Sequence, residues 1–343
     1  MDLNGNAITV SNAVCATMKP GIGMDGDKPA HPISAAALKP MLEQYATAGK
    51  AFSLGMVFPV STHNYELRYW LAAGSINLGY YQPGDVPGQT CGEVWISVTP
   101  PPQMQATMEA GTIDGYAMGE PWNQTAVGKG IGVPVVTDND IWKYNAEKVF
   151  GVTAEFAEKN DNTMLAMTKA LIRAGMWLDA DNNANRAEAV NFLFGREYVG
   201  ADAAVIANSM TGTFEYEKGD KRPAPDFNVF FRYNATFPCY SDAVWHLTQM
   251  RRWGQIAEAH PDAWYDEQAK SVCKPAIYKD AAKALIAEGK AKATDFDFDA
   301  DGSKNPTSDF IDHIAHDGTN AYTDSLTIGL KDKQTVADGA VQN

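Results

Sequence analysis

Residues 56–81, MVFPVSTHNYELRYWLAAGSINLGYY, and residues 93–123, EVWISVTPPPQMQATMEAGTIDGYAMGEPWN, decide the fold. They read as strand, helix, strand, helix, strand, with polar turns following the strands. Thr62–Ala73 places Leu67, Trp70 and Leu71 on one buried helical face, and Gly74 stops the helix. A second helix runs from about Pro102 to Ala110, with Met104 and Met108 one turn apart and Gly111 closing it. Working outward, Asn4–Val10, Phe52–Phe58 and Glu93–Val98 are strand candidates, and Ala35–Ala48 is a helix ended at Gly49. This alternation predicts an α/β domain with a parallel sheet and right-handed crossovers.

Beyond residue 136 the texture changes. Ile141–Glu147 reads as a short helical excursion and Lys148–Thr153, KVFGVT, as one more strand. Helices follow over Asn162–Leu178, Arg186–Phe194, Ser241–Trp253 and Lys279–Gly289, with Asn162 and Ser241 as N-caps. The segment Thr213–Pro238 is looped, and a polar tail begins near Asp295. Asn77–Gly92, rich in Gly, Pro and Tyr, reads as a surface loop.

The 343 residues, 45% of them hydrophobic, suffice for a large core and favour two lobes. A net charge of -14 sets a field that repels nucleic acid and anionic membrane surfaces. No apolar run is long enough to span a bilayer. Met1 is followed at once by Asp2 and a polar turn rather than by a secretory signal, so the protein is cytoplasmic or the sequence is mature or truncated at its start. Cys15, Cys91, Cys239 and Cys273 form no CxxC or Cys/His zinc pattern, and free buried thiols are the simplest reading.

Three strand-to-helix turns are expected to outline a crevice at the carboxyl ends of the strands. In PVSTH, Ser61, Thr62 and His63 form a turn and the first helical positions, where unpaired N–H groups and the helix dipole favour an anion. The bland alternative is that Ser61 or Thr62 only caps the helix and His63 is solvated. The PPPQM turn, with Pro102, fixes the backbone path. In GEPWN, Glu120 is placed to cap a helix and Trp122 to pack in the cleft. Lys148 alone reads as a solvated strand-start lysine. Asp297, Asp299, Asp301 and Gly302 match the opening of an EF-hand loop, but the twelfth position is Ser308 where a bidentate Glu is needed, so a solvated acidic loop is favoured over a weak calcium site. Nucleophile elbow, Walker loop, GxGxxG and HExxH are all lacking, leaving a binding crevice without a catalytic apparatus and no cofactor to expect.

STHNYELRYWLAAG, PPPQMQATMEAGTIDGYAMGEPWN and EKVFGVT together resemble the nitrate-, bicarbonate- and alkanesulfonate-binding periplasmic proteins of bacterial ABC transporters, most closely the nitrate members. The resemblance covers nearly the whole chain. It implies a non-enzymatic, two-lobed periplasmic-binding-protein-like fold of type II that closes on its ligand and docks on a permease, meeting the membrane only through that permease or an anchor outside this sequence. It divides the chain into residues 1–6 as a remnant of lobe one and hinge, 7–136 as lobe two, and 137–343 as the rest of lobe one and the tail. By the same resemblance His63, Lys148 and Asn6 hold nitrate or nitrite, with Asn6 standing where the nitrate proteins carry a longer Gln. Family members also carry further chain before this turn, so the sequence is expected to start inside lobe one. Bicarbonate transport, a cytoplasmic nitrate sensor of the same fold, and a pyrimidine synthase that consumes its own His are the competing readings.

Overall fold

The computed structural model describes residues 1–81, 92–304, 309–326 and 328–329. Its centre is a five-stranded sheet in the order β6-β5-β7-β2-β8, formed by β2 (Asn6–Ser11), β5 (Ser53–Met56), β6 (Trp95–Val98), β7 (Gly115–Gly119) and β8 (Gly132–Thr137). Three small antiparallel pairs accompany it: β1 (Leu3–Asn4) with β11 (Asn228–Val229), β3 (Met24–Asp25) with β4 (Lys28–Pro29), and β9 (Thr213–Glu215) with β10 (Lys221–Pro223). β5 pairs in parallel with β6 and β7, as the alternating pattern predicts. β2 runs antiparallel to both β7 and β8, so the sheet is mixed rather than parallel. β2 precedes the βα units in the chain and is joined to neither neighbour by a crossover, so the handedness rule that orients β5 to β7 leaves its direction free.

Between the strands run α1 (Asn12–Met18), α2 (Lys39–Thr47), α3 (Thr62–Ala73), α4 (Met104–Glu109) and α5 (Trp122–Lys129). α3 has the boundaries its sequence predicts, but it is not one-faced: every residue from Thr62 to Leu71 is buried. Chain from the second half covers its outer side. Tyr69 packs near Trp245 and Phe310, and Arg68 donates to Asn64 Oδ1 and Gly79 O while lying over the rings of Tyr81 and Trp253. Gly74 lets the helix end approach the turn at residues 35–38 so closely that a Cβ there would lie 2.5 Å from Ala36 N. Trp142, between Trp245 and Phe310 at ring separations of 4.4 and 5.3 Å, joins the sheet's core to the C-terminal half.

The second half is helical: α6 (Asp138–Ile141), α7 (Ala154–Lys159), α8 (Asp161–Asn183), α9 (Arg186–Leu193), α10 (Ala203–Met210), α11 (Tyr240–Arg252), α12 (Asp262–Val272) and α13 (Pro275–Ala287). KVFGVT is not a strand. Its neighbourhood makes one bridge, Ala146 with Leu3, after which Val149 is 83% exposed with no strand partner among the described residues. Ser241 and Asn162 are not N-caps either. Ser241 sits inside the first turn of α11 and its Oγ accepts from Lys304 N–H, while α8 starts after Asn160 without a side-chain cap. α8 breaks at Ala180–Asn182, where Asp179 is buried against Arg186. Cys15, Cys239 and Cys273 are free thiols; Cys91 and most of the expected loop at 77–92 lie outside the described residues. No helix among the described residues is long and apolar enough to cross a membrane.

Candidate functional site

The carboxyl ends of β5 and β7 and the amino end of β2 meet at one edge of the sheet. After β5 the chain turns at Pro59, and Ser61 caps α3: its Oγ accepts from Asn64 N–H at 3.2 Å and donates to Phe58 O at 2.7 Å. Thr62 and His63 are the first helical residues, so Ser61 takes the capping role and His63 is buried rather than solvated. β2 begins at Asn6, opposite Gly119 at the end of β7. A Cβ on Gly119 would lie 3.3 Å from Asn6 Oδ1 and 3.6 Å from His63 Nε2, so these three residues border one small space.

Lys148 approaches from the irregular segment after α6. Its Nζ pairs with Glu147 Oε1, which lies 3.6 Å from His63 Nε2. The structure therefore brings Asn6, His63 and Lys148 to one place, with Glu147 between the last two. Three acidic side chains that sequence reading did not single out complete the surroundings. Glu66 Oε2 accepts from Asn6 Nδ2 at 3.3 Å. Asp138 accepts from the backbone N–H of Asn6 at 2.9 Å and of Gly5 at 3.3 Å. Glu147 has a side chain only 3% exposed. Glu66 had a legible signal: three residues beyond His63 on a helix, it shares His63's face. Glu147 and Asp138 had none, since their roles depend on chain reversals after β8.

Burial sets the charges. It pushes His63 down to about 3, helped by the nearby Lys148 ammonium, so the imidazole is neutral and keeps one ring N–H to offer a ligand. Glu66 and Asp138 are both pushed up, chiefly by burial; for Glu66 the neighbouring Asp138 adds to the rise. Desolvation lowers the Lys148 ammonium, opposed by Asp2, Asp138 and Glu66. Asn6 Oδ1, Glu66 Oε1, Glu147 Oε2 and both ring nitrogens of His63 have no hydrogen-bond partner among the described residues. The site thus has one cation, neutral donors and an excess of acceptors.

The remaining candidates lie elsewhere or act structurally. Glu120 Oε2 accepts from Gln124 N–H at 3.2 Å at the start of α5, and burial pushes its carboxyl up to about 8. Trp122 packs against the cluster of Met104, Met108 and Tyr116 rather than beside His63, because α5 turns its first residue toward α4. Pro102 is exposed in a single 3-10 turn, Pro101–Gln103. Asp297 and Asp301 accept from backbone N–H groups of their own turn, Asp299 lies in that turn, and Ser308 is outside the described residues. Among the described residues no group of three or more His, Cys, Asp or Glu could hold a metal ion. A separate cavity of about 120 Å³, lined by Trp142, Tyr144, Ser241, Asp242, Lys304 and His316 among others, includes none of Asn6, His63 and Lys148.

The fold is that of the periplasmic binding proteins: it superposes on the crystal structure of the periplasmic nitrate-binding protein NrtA from Synechocystis PCC 6803 with a TM-score of 0.78 and 25% identity, over 95% of this chain and 76% of that one. The chain belongs to the NMT1-like family, whose profile matches residues 1–194. It is 34% identical over 249 residues to the nitrate/nitrite binding protein NrtA of Nostoc sp. PCC 7120, covering 71% of this chain and 52% of that protein. It is also 34% identical over 248 residues to the bicarbonate transport ATP-binding protein CmpC of Synechocystis sp. PCC 6803, covering 70% of this chain and 33% of that protein. The chain thus spans only part of the curated relatives it matches.

Proposed function

We propose that the chain is, or is part of, a periplasmic receptor that captures nitrate or nitrite and presents it to an ABC permease, without catalysing a reaction. The observation that carries this reading is the meeting of Asn6 and His63 beside Gly119 at one edge of the sheet, with Lys148 joined to His63 through Glu147. Nitrate has no proton to donate and needs only donors and a cation, which a lysine ammonium, a neutral imidazole and an amide supply. A single cation also suits a monovalent anion over sulfate or phosphate. In this reading Thr62 and Ser61 contribute the amino end of α3, and affinity falls in the micromolar range, about -8 kcal/mol.

Bicarbonate is the second reading, and the unpartnered acceptors favour it: Glu66 Oε1 or Glu147 Oε2 would accept its one O–H. Isothermal titration of the purified protein with nitrate, nitrite, and bicarbonate with and without calcium separates the two. Saturable nitrate or nitrite binding supports the first reading; bicarbonate binding alone replaces it with the second; no binding to any of them removes both.

A further inference from the structure

We infer that Glu147 is a built-in occupant of the anion position, a carboxylate of the protein's own that any incoming anion must displace. The inference rests on the oxyanion-receptor reading of the site and deepens it. Glu147 Oε1 lies against Lys148 Nζ and 3.6 Å from His63 Nε2, the two donors assigned to the ligand. A carboxylate and a nitrate are both planar, trigonal groups with the charge spread over oxygens, so the side chain presents to this pair what the ligand would present.

The Glu147 carboxylate is also poorly held apart from that contact. Its second oxygen, Oε2, is buried with no partner among the described residues, a costly arrangement that a structural ion pair would ordinarily repair. It belongs to no helix or strand, between the single bridge at Ala146 and the exposed Val149. Lys148, its partner, has a side chain 54% exposed and leads from the buried position to solvent. The carboxylate is thus buried at the site and free to leave by side-chain rotation alone, while its backbone stays fixed by the Glu147 N–H to Asp2 O bond at 3.3 Å and the Lys148 N–H to Asp2 Oδ1 bond at 2.8 Å.

An internal competitor raises the apparent Kd in inverse proportion to the fraction of time it leaves the position free; nine-tenths occupancy raises it about tenfold. It also bears on selectivity, because a free carboxylate anion brings to Lys148 and His63 the same group that Glu147 already holds there by a covalent tether. Formate and acetate are such anions.

The test uses the full chain with Glu147→Gln and Glu147→Ala. Calorimetry is expected to show nitrate binding about tenfold tighter in Glu147→Gln than in the unsubstituted protein. Millimolar formate is expected to raise the Tm of Glu147→Ala by several degrees and leave the unsubstituted protein unmoved, since the free carboxylate takes the vacated place. Nitrate affinity unchanged or weaker in Glu147→Gln, or no formate-dependent rise in Glu147→Ala, overturns the inference. If the unsubstituted protein binds neither nitrate nor nitrite, the receptor reading fails by itself and the formate arm alone decides the role of Glu147. If Glu147→Ala does not fold, the Glu147→Gln titration decides.

Discussion

Nδ2 of Asn6 donates to Oε2 of Glu66 across 3.3 Å, a bond between β2 and α3 with both residues buried. Replacing that amide by a carboxylate puts a third acid beside Glu66 and Asp138 with no donor to separate them. Asn6→Asp is therefore expected to lose about 3 kcal/mol of stability in urea unfolding at pH 7. Nitrate affinity should fall below detection in the same variant, and unaltered values for both would show that Asn6 is neither a strut nor a donor.

Gly119 leaves the space that Asn6 and His63 border. Gly119→Ala adds a methyl 3.3 Å from Asn6 Oδ1, close enough to crowd a ligand but short of a severe clash. The expected result is a fold stability within about 1 kcal/mol of the original and a clear loss of anion affinity by calorimetry. Loss of stability without loss of binding would place the anion elsewhere.

Glu120, held up to about 8 by burial, binds a proton in the folded state that it has released in the unfolded state above its ordinary 4.5. Its contribution is fully present below 4.5 and is lost as pH rises through 8, by about 2 kcal/mol between pH 6.5 and 8. His63, held down to about 3 against an ordinary 6.5, acts oppositely, its contribution being lost only as pH falls below 6.5. Thermal scans of Glu120→Gln should therefore run flatter than the unsubstituted protein above pH 6.5 and parallel to it near pH 4. Parallel curves throughout would refute the raised value.

Asp179 pairs with Arg186 at 2.5 Å and accepts from the backbone N–H groups of Phe230, Phe231 and Arg232. Asp179→Ala leaves a buried guanidinium and those amides without their acceptor, and should cost about 3–5 kcal/mol in chemical unfolding. Arg186 reaches the site only through Asn228, which it bonds at 2.8 Å and which lies against Gly5, so nitrate affinity measured well below the unfolding temperature should change far less than stability.

Much of the sheet was legible because its cues are local. The run THNYELRYWLAA bounded by Ser61 and Gly74 gives α3 to the residue, β5 and β6 fall within their predicted stretches, and β2 overruns its stretch by one residue. Direction and pairing are not local. Nothing in NAITVS says that β2 runs against β7, and nothing in KVFGVT says that the strand-like residues lack a neighbour. The site divides the same way. His63 stands out by its place at a helix start and Lys148 only by family likeness, whereas Glu147 emerges only when a segment 84 positions beyond His63 folds back beside it.

The reversal of β2 gives this edge of the sheet a chemical polarity of its own. Strands that end at an edge bring it carbonyl oxygens; a strand that begins there brings main-chain amides. The Gly5 and Asn6 amides are both taken by one carboxyl group, that of Asp138, so neither is left to donate to a ligand.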